Sequence, residues 1–221
     1  MNEVFEEFYN LFSKRCDKST LLSLGEDSLR YDFFYALTKK KNIHPSDINL
    51  EFPIHTNSFI ARQNQKSYRK EKPQMDLVVD LDNLKFCAEF GMFRQNSNEN
   101  GTINSTARTV KILNDMIRLA VDSFFTNRIS YFICVADDTF LGHQLNTKII
   151  GAFPSDYEIT LDVIKQQLKT KTSAFDNRFL PVFENLNAHI FSKIVFDKQI
   201  NSIKTNKKTK IIIWETALIK A

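Results

Sequence analysis

The chain has 221 residues and a mass of 25.7 kDa, the size of one full domain rather than two, so 1–221 is expected to fold as a single domain. Hydrophobic residues make up 43% and charged residues 25%, enough apolar surface to offset the entropy of ordering, which excludes a disordered chain. Only five Gly are present and the formal charge is +4: the first argues against glycine-rich phosphate loops, while the second permits a nucleic-acid partner without demanding one.

In chain order, the first ten residues carry Glu3, Glu6 and Glu7 and no basic cluster, the wrong sign for a targeting leader. Ser23-Leu-Gly-Glu26 has capping-box spacing, and Leu29, Phe33, Ala36 and Leu37 then recur at helical intervals, which predicts a helix over 24–40. A short strand is expected over 48–52. Residues 55–72 hold Arg62, Lys66, Arg69, Lys70 and Lys72 against the single acid Glu71 and read as an exposed excursion suited to backbone contacts with nucleic acid. Lys204, Lys207, Lys208 and Lys210 form a second basic run. Two β-rich runs, 75–81 and 84–90, flank Asp82-Asn83, a pair able to form a two-residue hairpin turn. Apolar positions 103, 107, 110, 113, 117, 120 and 124 step through the longest predicted helix, and 129–136 reads as a strand buried on both faces. That apolar run is about eight residues long against the roughly 20 needed to cross a bilayer, so no membrane span is expected. Beyond it, 161–168 is expected to be helical and 210–215 a strand, whereas 174–200 is aromatic and ambiguous. Cys16, Cys87 and Cys134 are odd in number and widely spaced, which speaks against a disulfide framework and suits a reducing, cytoplasmic setting. His44, His55, His143 and His189 lack metal-ligand spacing.

The turn at 82–83 sets a register in which Leu81 faces Leu84 and, further along, Asp76 stands opposite Glu89. Facing side chains have Cβ atoms about 4.5–5.5 Å apart, so two carboxylates would repel unless a proton or cation sits between them. One reading makes them solvated charges on an exposed hairpin face. The other makes them ligands of a divalent cation, and two oxygen donors with room for water suit Mg²⁺. Val78 and Cys87 share the face and favour the second. Glu26 can serve its capping box and pair with Arg30. Lys111 with Asp115, and Arg118 with Asp122, have the spacing of solvent-facing helical ion pairs. Asp137-Asp138 closes the buried strand, with Asp138 able to cap the next segment.

With these residues in place, the stretch 23–136 resembles the PD-(D/E)xK nuclease superfamily. The fold class expected from that resemblance is α/β: a restriction-endonuclease-like α-β-β-β-α-β core with a mixed sheet flanked by helices, and 137–221 adding C-terminal elements. The resemblance implies that Asp76 and Glu89 bind Mg²⁺ (or Mn²⁺), that Glu26 assists, and that the substrate is DNA, duplex and cut by a restriction- or defence-type endonuclease, for which a two-fold homodimer is a common form. Two positions depart from the pattern: Pro73 is displaced from the place directly before Asp76, a minor variation, and Gly91 stands where the family carries its lysine, where glycine can neither orient a water nor stabilise developing charge. A cation from elsewhere could serve, with Lys111, Arg94 and Lys85 as candidates. Lys85 is the poorest, lying about 13 Å along the strand from Glu89 and opposite Asp80. Lys111 is therefore grouped with Asp76, Glu89 and Glu26 as the expected catalytic set. The alternative is a catalytically degenerate member of the same fold that binds nucleic acid or protein.

Overall fold

A computed structural model describes residues 1–60, 73–94, 105–143, 151–170, 178–201, 203–204 and 207–220. The basic segment with Arg62, Lys66, Arg69, Lys70 and Lys72 lies outside the described residues. The elements are α1 (Asn2–Cys16), α2 (Glu26–Lys41), β1 (Ile48–Pro53), β2 (Gln74–Leu81), β3 (Leu84–Phe93), α3 (Ser105–Thr126), β4 (Ile129–Asp137), β5 (Tyr157–Ile159), α4 (Leu161–Thr170), α5 (Leu180–Leu186), β6 (Ala188–Ile200) and β7 (Thr209–Lys220). From α2 to β4 the order is the expected α-β-β-β-α-β.

The strands form one seven-stranded sheet in the order β1-β2-β3-β4-β7-β6-β5. It is mixed: β3 and β4 run parallel, joined by a crossover through α3, and every other neighbouring pair is antiparallel. The protein is thus α/β, with helices against a mixed sheet. β4 is central and buried along nearly all its length, as its unbroken apolar run predicts. Because successive side chains alternate, Tyr131, Ile133 and Val135 face one apolar cluster while Phe132, Cys134 and Ala136 face the other.

The first cluster is covered by α1 and α2. Phe33 of α2 meets Phe8 of α1 and Phe90 of β3, each with ring centroids 5.6 Å apart and edge to face, a favoured aromatic geometry. The second cluster packs beneath α3 through Leu113, Met116, Ile117 and Ala120, and extends to Phe153 and Trp214. Cys16, Cys87 and Cys134 are free and buried. Among the described residues no helix is long and apolar enough to cross a membrane.

Several expectations are corrected. The capping box does not form: α2 begins at Glu26 behind Gly25, which makes no side-chain cap, and the Ser23 hydroxyl instead donates to the Thr20 carbonyl at 2.8 Å within a short 3₁₀ turn. Residues 55–60 are not wholly exposed, because Ser58 and Phe59 are buried and the His55 N–H donates to Asp122 at 2.9 Å. The ambiguous stretch resolves into α5 and the thirteen-residue strand β6. Two elements, α1 and β5, have no counterpart among the elements expected from the sequence.

Candidate functional site

The hairpin turn at 82–83 has the expected two residues, and β2 pairs with β3 from Leu81↔Leu84 to Leu77↔Ala88. One step further along this register lie Asp76 and Glu89. Here a side chain takes over the pairing: Asp76 Oδ2 accepts the Phe90 N–H at 2.9 Å. The Glu89 carboxyl lies within electrostatic reach of Asp76, whose negative charge disfavours its ionisation.

A ring of charged side chains surrounds the pair. Arg30 of α2 donates to Asp76 Oδ1 at 2.7 Å and stands 3.5 Å from Glu26 Oε1. Lys111 of α3 lies 3.9 Å from Glu26 Oε2 and 2.9 Å from Asp115 Oδ2. Arg118, two turns along α3, stands 3.9 Å from Asp115 and donates to Glu89 Oε1 at 2.8 Å, which closes the ring. The four expected residues, Asp76, Glu89, Glu26 and Lys111, are therefore gathered in one cluster. Lys111 reaches it through Glu26 and Asp115, while Arg30 and Arg118 touch the central pair directly.

Helical geometry explains the placement. Glu26 and Arg30 are i, i+4 at the start of α2, and Lys111, Asp115 and Arg118 share one stripe of α3. That stripe faces the sheet and not solvent: Asp115 is buried, and Arg118 turns to Glu89 and Asp115 in place of the expected Asp122. Once the capping box fails, the Glu26 carboxylate is free to point at Arg30 and Lys111.

Burial sets the electrostatics. Glu89 is 2% exposed, and its carboxyl is pushed well above the usual range chiefly by desolvation, with Arg118 opposing and Asp115 and Asp76 reinforcing the rise. Desolvation also raises the Glu26 carboxyl, against Lys111. Desolvation pulls Lys111 down, but Asp115 and Glu26 together outweigh it and hold the ammonium above its ordinary range. Arg108, on the same helix, is lowered by burial, with Glu26 opposing the shift and Arg94 adding to it. Arg94 is thus within electrostatic reach of Arg108.

The remaining candidates lie elsewhere. Lys85 pairs with Asp80 at 3.8 Å, as expected. Gly91 is packed by aromatics, and a Cβ there would come within 3.1 Å of Phe93 Cζ and 3.3 Å of Phe132 Cζ; the space a lysine would need is filled by rings. Asp137, rather than Asp138, caps the turn after β4 by accepting the Thr139 N–H at 3.1 Å. Lys210 is paired with Asp197 at 2.8 Å.

Among the described residues no group of three or more His, Cys, Asp or Glu side chains is arranged to hold a metal ion. The donor set on offer is the pair Asp76 and Glu89. It fits a hard divalent cation in kind, because Mg²⁺ takes one or two carboxylates and completes its shell with water and phosphate. The chain matches no protein-family model, and neither the curated proteins nor the solved structures compared with it give a match.

Proposed function

We propose that this protein is a Mg²⁺-dependent, endonuclease-like enzyme with a restriction-endonuclease-like core, hydrolysing DNA phosphodiester bonds. The observation that carries the reading is the Asp76–Glu89 pair, two acids at neighbouring positions of one hairpin with an arginine on each. A catalytic centre built on two acids needs them converged and oriented, and structural carboxylates are normally kept apart. Bound there, Mg²⁺ supplies a water of lowered pKa and polarises the scissile phosphate.

The chain's own residues divide the rest of the work. Arg30 and Arg118 fix the Asp76 and Glu89 carboxylates from two different helices and so hold their oxygens in place. Lys111, desolvated and adjacent to Glu26, is suited to stabilise negative charge that builds on a phosphate in the transition state, where a positioned cation is worth far more than in water. It stands in for the lysine that Gly91 cannot supply. Glu26, its carboxyl raised by burial, is placed to exchange a proton with water.

A second reading, a degenerate member of the fold that binds nucleic acid or protein without cutting, is favoured by Gly91 and its aromatic packing. One experiment separates the two: supercoiled plasmid incubated with purified protein and Mg²⁺ or Mn²⁺, beside the Asp76→Asn variant. Nicking by the wild type and a loss of about 10³-fold or more in the variant are expected, the scale on which groups holding a transition state act. Absence of metal-dependent nicking, or equal nicking by both proteins, overturns the enzymatic reading.

A further inference from the structure

The face formed by α1, α2 and β1 carries features the acidic cluster does not use. One groove, about 460 Å³, runs between α2 and β1 past Arg30, Tyr31, Phe34 and Leu50. A second, about 430 Å³, runs between α1 and α2 past Lys14, Arg15, Lys18, Tyr31 and Tyr35. Tyr31 belongs to both grooves. Arg30 belongs to the first groove and also to the ion pair with Asp76. The two grooves therefore adjoin at Tyr31, and Arg30 stands between the first of them and Asp76.

Tyr31 and Tyr35 are one helical turn apart and are 63% and 46% exposed, so two large rings present faces to water that the core does not claim. The Arg15 guanidinium sits 5.9 Å from the Tyr31 centroid, held there by its ion pair with the buried Asp32. Lys14 and Lys18 are exposed, and among the described residues neither is in an ion pair. Exposed rings beside cations that lack acidic partners form the combination that grips an unpaired strand, bases on the rings and phosphates on the cations.

We propose that this face binds single-stranded nucleic acid, with bases stacked on Tyr31 and Tyr35 and phosphates against Lys14, Arg15 and Lys18, and leads the strand toward Asp76 and Glu89. A duplex would use the cations but not the rings, because its bases already stack on one another. An acidic peptide would likewise leave both tyrosines bare. Asp27 and Glu51 line the first groove and offer acceptors to base amino groups there. The proposal deepens the nuclease reading and rests on it for the strand's destination, though not for its binding.

The test is fluorescence anisotropy of a labelled oligothymidylate titrated with the intact protein in EDTA, where no metal-dependent cutting can occur, with a duplex of equal length and polyglutamate as competitors. The single strand is expected to bind more tightly than the duplex and to resist polyglutamate. The double variant Tyr31→Ala/Tyr35→Ala is expected to weaken it about tenfold or more, and Lys14→Glu/Lys18→Glu to weaken it and flatten its salt dependence. Circular dichroism verifies that each surface variant is folded, and the two variants probe the rings and the cations separately. Failure of the wild type to bind, equal or tighter binding of duplex, displacement by polyglutamate, or unchanged binding in both variants overturns the proposal. Binding without plasmid nicking refutes the nuclease reading alone; nicking without strand binding refutes this one alone.

Discussion

Asp76 and Asp80 stand on the same strand, four residues apart, yet the charge clusters around them are built on different plans. At Asp80 the acids and cations balance: Lys85 lies 3.8 Å across the hairpin, Arg128 donates to Asp80 at 2.7 Å and reaches Asp122 at 3.4 Å, and Asp122 also accepts the His55 N–H. No two acids touch there. At Asp76 the acids Glu26, Asp76, Glu89 and Asp115 meet the cations Arg30, Lys111 and Arg118, four acids to three cations, and Asp76 and Asp115 both bear on the buried Glu89. The first cluster satisfies itself and acts as a tie between the hairpin, α3 and the segment after β1. The second carries an excess negative charge that the protein leaves to a proton or an added cation, and such unresolved charge marks a site more often than a strut.

The contrast can be broken at either end. The largest stability effect belongs to the balanced cluster: Asp122→Ala leaves the buried Arg128 with Asp80 alone and removes the acceptor of the His55 N–H, and is expected to cost about 3 kcal/mol in denaturant unfolding. A loss under about 1 kcal/mol would mean that this cluster is no tie. Next comes Gly91→Lys. A lysine at this position, as the nuclease resemblance would have it, forces a Cβ against Phe93 and Phe132, so an overpacking cost of roughly 1–3 kcal/mol and no gain in nicking are expected. Faster cutting by a stable variant would show that the rings yield and that Lys111 does not serve. The smallest effect is that of Lys85→Ala. Its pair with Asp80 is long and half exposed, and the cost is expected to stay below about 1 kcal/mol in the same assay.

Much of this was legible in the sequence wherever one local rule fixed a long-range result. The two-residue turn at Asp82-Asn83 determined which residues face one another five positions away, and so brought Asp76 to Glu89. The apolar period of α3 and the unbroken run of β4 likewise specified their own burial. Arg30 and Arg118 were not legible as site residues, since each has an acid one turn away on its own helix and a local pair explains it fully; only the packing of α2 and α3 on the sheet turns them inward. The same packing hid Asp115. Val4, Phe5, Phe8, Phe12 and Cys16 repeat at helical spacing, a signal for α1 that the acidic residues interspersed among them obscure. β6 was hidden because it alternates buried and exposed positions only through Ser192 and Lys193 before a register shift between Ile194 and Phe196.

Protonation links the site to pH. The folded protein holds the Glu89 carboxyl above its unfolded value of about 4.5, so folding favours the protonated form. The stability that this confers is complete below that pH and is lost as pH rises through the raised folded value. Under the proposed reading, Mg²⁺ binding displaces the proton that Glu89 holds. The most direct measurement is calorimetric titration of Mg²⁺ into the protein across that range, in buffers of different ionisation enthalpy, for the wild type and Glu89→Gln. The account predicts wild-type affinity that rises with pH and releases a proton on binding, with weaker and pH-independent binding in the variant. Equal affinities in the two proteins, or binding that releases no proton, would contradict it.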